Sequence, residues 1–483
     1  MNAPPDNDSS QLRWGIYWLL IAIATGGILG RILAVDSLDY IRLEQRLKSE
    51  GRRDWQKQRP FLSANDRSRW ATVRALVEQG TYAIDDIVSQ PNWDTIDMVK
   101  HDDQGRAAPA PDEGHLYSSK PPLFPTLMAG EYWLIVKLTG WTLATHPFAI
   151  GRFMIVTINL LPLVIYFILW GRMADRLGTT DWGRIFTMAC ATFGTFLSTF
   201  AVTINNHLPA AVTALATVLM CVRITIDGER RLWYLALAGF LAAFTVTHEL
   251  PALSLFAAVT ALVAWHAPRR TIFAFVPAAL IVVAASFGTN YVAHHTWTMP
   301  YAHRDQDDPT DNWYAFEYMK DGKVRESYWT HREARSPIDQ GEESMGRYAL
   351  HVLVGHHGIF SLSPIWLLTI PGLVALCFSA ERGWRQWGLL IAAVSIVCVA
   401  FYIYQPLDNR NYGGMTSGFR WAFWMAPLWL MAAQPVADWA GQRRWSQILA
   451  ATLLGLSVMS VAYPTWNPWT QPWLWDALET FPM

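Results

Sequence analysis

The sequence is poor in charged residues and in cysteine, and both shortages narrow what the protein can be. Only 16% of its 483 residues are charged and the net charge is −1, so no basic surface for nucleic acid is indicated. The four cysteines lie in apolar runs and form no CxxC or Cys/His pattern, so we expect neither a disulfide framework nor a zinc site. No basic region precedes the first apolar run, residues 14–35, which is too long for a signal-peptide core. We expect that run to be retained as a membrane span.

Apolar residues and tryptophan are abundant instead. The sequence is 52% hydrophobic and contains 26 tryptophans, a mixture typical of proteins that cross the membrane many times. We predict an all-α polytopic membrane protein that forms one domain over residues 1–483, with about 11 (range 11–13) transmembrane helices. The predicted spans are 14–35, 148–170, 184–204, 208–224, 232–248, 250–266, 271–292, 360–378, 386–404, 421–440 and 445–463.

The stretch "HLYSSKPPLFPTLMAGEYW", residues 115–133, decides the predicted orientation. If 121–139 does not cross the membrane and the N-terminus is cytoplasmic, every short inside loop contains at least two arginines; if it crosses, all these loops lie outside. Short loops that contain Lys and Arg favour the cytoplasmic side of the membrane. We therefore expect 121–139 to lie in, or re-enter, the outer interface. The outer face then has a first loop at 36–147 with interfacial helices, a second at 293–359 and a short third at 405–420. Glu131 in this stretch has no explanation from the sequence.

Residues 63–82, "SANDRSRWATVRALVEQGTY", predict a short amphipathic helix that ends at Gly80. Asp66 has two interpretations. It completes a capping box with Ser63, three residues earlier, or it is a base that acts on an acceptor hydroxyl at the outer membrane surface. Residues 36–62 before this helix are charged and suggest a surface helix.

Two motifs in the first loop resemble those of the GT-C glycosyltransferases. "NDRSRWATVRALVEQGTY" has an acid before an Arg–aromatic pair and a helix that ends in Gly–Thr–aromatic, and "YSSKPPLFPTLMAGEYW" contains the Y-x-x-K-P-P-L pattern. The branch that these motifs resemble most is that of the protein mannosyltransferases and the lipid A aminoarabinose transferase. The many predicted spans extend the likeness over most of the chain.

This resemblance implies an activity and roles for two residues. GT-C enzymes transfer a sugar from a polyprenyl-phosphate-linked donor to a hydroxyl on a lipid, glycan or protein acceptor. Asp66 takes the place of the catalytic base, and Lys120 matches the lysine near the donor phosphate. No cofactor is predicted. A divalent metal is left open, because family members often have two adjacent acids where this chain has Asn65–Asp66. The implied location is the bacterial inner membrane, in contact with membrane lipids, with the active face outside.

Two arginines are further candidates for the donor phosphate. The third outer segment, "QPLDNRNYGGMTSGFRW", is short and predicted outside, yet it contains Arg410 and Arg420, and its glycines permit close approach of a ligand. Arginine suits bidentate phosphate contacts, and we favour Arg420. Arg152, at the outer start of the second span, is a weaker candidate. The alternative for these arginines is that they extend to the lipid headgroups.

Polar residues also occur where predicted spans end on the same face. Asn206 and His207 lie between the third and fourth spans, and His248 and Glu249 between the fifth and sixth. His356 precedes the eighth span. Ionisable residues at such positions suggest a functional cavity, although turns that cap two helices are the plainer explanation.

Two other functions remain open from the sequence. The number of spans also suits a transporter or flippase of a lipid-linked or small substrate, although we see no internal repeat. A non-catalytic GT-C relative is the third alternative, because the second acid is missing at Asn65.

Overall fold

The computed structural model describes residues 7–34, 47–51, 61–305, 308, 310–464 and 467–480, and this part of the chain is mainly helical. The prediction of an all-α fold is confirmed; besides the helices, the structure contains two short β-hairpins. The helices are α1 (Asn7–Ala34), α2 (Ala64–Glu78), α3 (Asp85–Val88), α4 (Leu123–Thr139), α5 (Pro147–Leu177), α6 (Asp181–Phe193), α7 (Leu197–Phe200), α8 (His207–Thr225), α9 (Leu232–His248), α10 (Leu250–His266), α11 (Pro268–His294), α12 (Met345–Leu353), α13 (Ile359–Leu362), α14 (Pro364–Cys377), α15 (Arg382–Ile403), α16 (Ala426–Ala440), α17 (Arg444–Ala462) and α18 (Trp473–Thr480). The strands are β1 (Met98–His101), β2 (His115–Ser118), β3 (Glu317–Lys320) and β4 (Lys323–Glu326), paired β1 with β2 and β3 with β4, both antiparallel.

Six of the described helices, α1, α5, α8, α11, α15 and α17, are long and apolar enough to cross a membrane, and α9, α10 and α14 are shorter apolar helices. These nine coincide with nine of the predicted spans. The predicted span at 184–204 is divided between α6 and α7, and that at 421–440 begins as a 3-10 helix, Arg420–Met425, before α16. Membrane-spanning character is therefore confirmed, whereas the number of crossings stays a prediction.

Two of the long helices, α5 and α11, have a proline directly after a π turn, and each accommodates it in the same way. Pro162 in α5 follows a π turn at Val156–Leu160, and Pro277 in α11 follows one at Thr271–Phe275. A proline has no N–H and its ring collides with the carbonyl four residues earlier, here that of Ile158 or Phe273. Both carbonyls lie within the π turns, so the wider turns absorb the proline without ending the helix.

Helix α4, in the stretch that decided the orientation, begins after Pro122 and ends at Gly140, whose φ is +70°. One side of it is apolar and uncovered: Leu127 is 52% and Leu138 84% exposed. This helix is absent from the described helices that could span a membrane. Glu131 accepts a hydrogen bond of 2.5 Å from the Thr157 hydroxyl of α5, which gives that acid a partner.

The first long loop positions α2 firmly. Ser63 caps the helix and forms the predicted capping box with Asp66, and the helix ends at Glu78, two residues before Gly80. Most of α2 is buried, including three arginines, because the loop folds around it. Of the predicted surface helix at 36–62, residues 36–46 and 52–60 lie outside the described residues.

The two long loops pack against each other. The Lys100 N–H in β1 donates to the Trp313 carbonyl at 2.9 Å, and the Glu317 N–H donates to the Pro109 carbonyl at 2.8 Å. The Trp329 indole donates to the Ile96 carbonyl at 2.8 Å. Trp313 is fully buried between the loops. The loops therefore form a single layer over one end of the helices, and that layer closes the cavity described next.

Candidate functional site

A cavity of about 600 Å³ lies between this layer and the ends of α8, α9, α10 and α15. Four Arg or Lys side chains line it: Arg69 in the first turns of α2, Lys120 two residues beyond β2, Arg420 at the start of the 3-10 helix before α16, and Arg304 in the second long loop. Arg69 and Arg420 are 4% and 9% exposed. Three acids, Asp97, Glu249 and Asp339, line the same cavity, so the basic side chains outnumber the acidic ones by one.

Burial is the main cause of a lowered pKa in three of these cations. Burial lowers the pKa of Lys120 to about 8; the Asp97 charge opposes this, and the Arg69 and Arg420 charges add to it. Burial and the Arg420 charge lower the pKa of Arg69 to about 10. Burial also lowers the pKa of Arg420, and the charges of Asp97, Glu249 and Asp339 oppose it. A bound anion would favour the charged forms of all three.

Lys120 is held in place by an acid from the first long loop. Its ammonium lies 3.1 Å from the Asp97 carboxylate, and both side chains are largely buried. The Lys120 N–H also bonds the Ser118 hydroxyl at 3.2 Å. Because Pro121 and Pro122 follow at once, the backbone here is restricted, and the lysine is fixed where β2 meets α4.

Arg420 is oriented through a histidine. Its Nη1 donates to His207 Nε2 at 2.8 Å, and its Nε donates to the Gly413 carbonyl at 2.8 Å. Because arginine only donates, His207 Nε2 accepts, and Nδ1 carries the hydrogen that it donates to Glu249. His207 is therefore a neutral link between a buried acid and the cation.

Arg69 is connected to the same acid through Asn206. Its guanidinium donates to the Asn206 side-chain carbonyl at 3.0 Å, and the Asn206 amide donates to Glu249 at 2.8 Å. Burial raises the pKa of Glu249 well above its ordinary value, although Arg420 and Arg69 oppose this. The two turns that the sequence predicted separately thus meet, and Glu249 orients both arginines through neutral partners. His248 lies beside them on the cavity wall.

The structure places Asp66 and Arg152 apart from this cavity. Asp66 is 1% exposed and accepts hydrogen bonds from the Leu62 and Ser63 backbone and from the Ser63 and Thr203 hydroxyls. Burial raises its pKa, and the Thr203 bond opposes the rise. The crevice that Asp66 and Arg152 share has a volume of about 20 Å³, too small for a sugar. The predicted base is thus a buried capping residue here, and the predicted phosphate ligand Arg152 does not reach the cations.

His356 likewise does not line the cavity. Its Nδ1 lies 2.5 Å from that of His357, and its ring packs on His351, Tyr412 and Trp475. The chain after α12 turns its ring into this aromatic cluster, and His356 is not brought together with Lys120 and Arg420.

The sequence reasoning missed four residues of the cavity. Arg69 is the arginine of the Arg–aromatic pair in the first motif, so this pair is the sequence signal that could have identified it. Asp97, Arg304 and Asp339 have no motif around them and reach the cavity only because the long loops fold together. Among the described residues, no three or more His, Cys, Asp or Glu side chains are grouped to hold a metal ion.

The fold and the cavity together define a helical membrane protein with a cavity lined by charged side chains at one end of the helices. No protein-family model matches the sequence, and no curated protein matches it. Solved structures with some similarity include ArnT from Cupriavidus metallidurans in the apo state (12% identity, TM-score 0.48), with 93% of this chain and 65% of that chain covered. Another is the Archaeoglobus fulgidus oligosaccharyltransferase in complex with Zn and sulfate (11% identity, TM-score 0.47), with 96% of this chain and 56% of that chain covered.

The same oligosaccharyltransferase, AglB, in complex with an inhibitory peptide and a dolichol-phosphate also matches, at 11% identity and a TM-score of 0.45. These neighbours belong to the class of membrane transferases that the motifs of the first loop resemble. The chain spans less than two thirds of their lengths. Because every TM-score is below 0.5, we take the function from the residues of the chain itself.

Proposed function

We propose that the protein is a membrane glycosyltransferase that moves a sugar from a polyprenyl-phosphate donor to a hydroxyl acceptor on a lipid, glycan or protein. The observation that carries this proposal is the convergence of Arg69, Lys120 and Arg420 in one buried cavity at an end of the membrane helices. We further propose that this end is the extracytoplasmic face of the bacterial inner membrane, with the N-terminus in the cytoplasm, as the arginine distribution favours.

The three cations suit a departing phosphate. When the bond between the sugar and the phosphate breaks, negative charge develops on the phosphate oxygens. Cations that are already held in place stabilise that charge without reorganisation. Two arginines offer paired N–H donors, and the lysine adds a compact charge.

The same cavity has an apolar side that suits the prenyl chain. Phe124, Leu250 and Phe401 contribute to its wall, and Leu250 and Phe401 are also 51% and 44% exposed on the surface of the helices. A lipid tail that lies along these side chains would place its phosphate at the cations. This arrangement supports a lipid-linked donor over a soluble nucleotide sugar.

Phosphate binding is tested directly with farnesyl phosphate and the purified protein. Arg69→Gln and Arg420→Gln should each weaken binding by roughly tenfold or more, since hydrogen bonds to charged groups contribute about 1.5–3 kcal/mol. The control is Arg106→Gln, which removes an exposed arginine of the same loop that pairs with Asp102 outside the cavity. Equal binding in all four proteins would remove the cations from the site.

Transfer is tested with a panel of farnesyl-phosphate pentoses and hexoses and with a membrane extract that supplies acceptors. The proposal expects the wild-type protein to release farnesyl phosphate from at least one donor, and the arginine variants to lose that release. A protein that moves such lipids across vesicles but cleaves none would instead be a transporter.

A further inference from the structure

The second long loop brings a carboxylate of its own to the cavity. Asp339 lies in the 3-10 turn Pro337–Gln340 and is part of the cavity lining. The hydroxyls of Tyr328 and Ser336 both donate to its Oδ2 at 2.9 Å. Its Oδ1 has no hydrogen-bond donor among the residues that the structure describes. One oxygen is thus anchored and the other is available to a ligand.

Two adjacent glycines place this oxygen relative to the phosphate site. A Cβ added to Gly413 would lie 2.9 Å from Arg420 Nε, and one added to Gly414 would lie 3.6 Å from Asp339 Oδ1. Because consecutive Cα atoms are about 3.8 Å apart, Asp339 Oδ1 lies within about 13 Å of Arg420 Nε. This is an upper limit, and it shows that Asp339 and Arg420 are close enough for one phosphate-linked sugar to reach both.

The other two acids of the cavity are engaged. Asp97 forms an ion pair with Lys120, and Glu249 holds His207 and Asn206. Within the described chain, Asp97 alone of the three is paired with a cation, and Glu249 is bonded to two neutral side chains that it orients. A carboxylate without a cation partner keeps more affinity for a proton, as a general base requires.

We propose that Asp339 is the general base that accepts the proton of the acceptor hydroxyl, an inference that rests on the proposed glycosyl transfer. The acceptor oxygen forms a bond to the anomeric carbon while the bond from that carbon to the phosphate oxygen breaks. The phosphate leaves with the electron pair as polyprenyl phosphate, and the acceptor proton moves to Asp339 Oδ1. Attack opposite the leaving group inverts the anomeric configuration.

The charges around Asp339 are compatible with this role. Burial raises its pKa, the bonds from Tyr328 and Ser336 oppose the rise, and the Asp97 charge adds to it. The Arg335 guanidinium lowers it, although Arg335 is also paired with Asp408 at 3.6 Å. Arg420 faces the same space, and its own pKa responds to the Asp339 charge.

The test is Asp339→Asn in the full-length protein. The amide oxygen of asparagine still accepts from Tyr328 and Ser336, so the turn is kept while the basic oxygen is lost. We expect kcat for farnesyl phosphate release to fall about 10²–10⁴-fold, the usual contribution of a general base, with the Kd of farnesyl phosphate unchanged. Asp321→Asn is the matched control, because Asp321 is an exposed acid of the same loop at the β3–β4 turn.

A pH profile separates a base from a structural residue. Tyr328→Phe removes a hydrogen bond that lowers the pKa of Asp339. The acidic limb of the kcat profile should therefore move to higher pH, because the base stays protonated to a higher pH. A purely structural role would lower kcat without moving this limb.

The outcomes distinguish this inference from the proposed function. If the wild-type protein releases farnesyl phosphate and Asp339→Asn retains kcat within about threefold, which is far less than a base contributes, the inference is overturned and the transferase remains. An unmoved limb in Tyr328→Phe also overturns it, even if Asp339→Asn fails to fold. If the wild-type protein cleaves no donor yet binds farnesyl phosphate, the proposed function itself fails.

Discussion

At the scale of single residues, Lys120 is the cation whose charge depends on pH in the working range of a cell. Its pKa is lowered to about 8 by burial and by the two arginines, so its charge is present below that pH and is lost above it. Between about pH 7 and 9 we therefore expect the affinity for farnesyl phosphate to fall in the wild-type protein. In Lys120→Arg, where the guanidinium stays charged, the affinity should stay level. Binding titrations across this range measure the difference, and an equal decline in both proteins would contradict it.

Asp66 is the residue for which the sequence leaves two interpretations open. If it is the base, Asp66→Asn abolishes transfer while the fold persists. If it is a buried capping residue, the same change lowers stability, because an amide NH₂ would face backbone N–H groups that now donate to a buried carboxylate. We expect a lower Tm, with a cost of about 1–3 kcal/mol for donors left without an acceptor.

The comparison for Asp66 is Thr203→Val, which removes one donor to the same carboxylate at 2.6 Å and leaves the acid in place. Thermal unfolding in detergent and turnover at low temperature are measured on both variants. If Asp66→Asn unfolds at the wild-type temperature and yet transfers no sugar, Asp66 is the base after all.

At the scale of elements, the glycine-rich segment before α16 controls the position of Arg420. Gly413 has a φ of +93°, and a Cβ there would lie 2.9 Å from Arg420 Nε. Gly413→Ala should displace the guanidinium and weaken farnesyl phosphate binding, in addition to the cost of the strained backbone.

The β3–β4 hairpin offers a control for the backbone strain. Gly322 also has a positive φ, +69°, but a Cβ added there meets nothing within 4 Å. Gly322→Ala should therefore lower stability slightly and leave binding unchanged. The same loss of binding in both variants would mean that strain, and not Arg420, is responsible.

At the scale of the whole molecule, the open question is which side of the membrane the cavity faces. The charge pattern predicts that the β3–β4 hairpin lies outside and the turn between α16 and α17 inside. Asp321 and Gln442 are exposed residues of these two regions. In intact cells, an impermeant maleimide should label Asp321→Cys and not Gln442→Cys.

The labelling experiment needs a background from which the natural cysteines are removed, since Cys377 is only partly buried. Permeabilised cells, in which both variants should react, show that each introduced thiol is accessible. The reverse pattern in intact cells would invert the orientation. Labelling of both or neither would mean that an even number of crossings separates the two residues, whereas three predicted spans lie between them.

The sequence by itself determined the helical membrane fold, the capping of α2 and the candidates Lys120 and Arg420. Lys120 became a candidate through the resemblance of its motif to that of a known family, and the fold and the cap follow from local rules. An apolar run of sufficient length prefers a helix in lipid, Ser63 and Asp66 satisfy backbone groups three residues apart, and Pro121–Pro122 restrict the chain after Lys120.

Only the tertiary structure decided which side chains share the cavity. Arg69, Asp97 and Asp339 lie far apart along the chain, and they meet because the two long loops pack into one layer against the helix ends. The same packing turned Asp66 inward, where burial among backbone and hydroxyl donors determines its partners. Local patterns cannot contain this information, because the energy of burying a charge depends on the neighbours that folding brings to it.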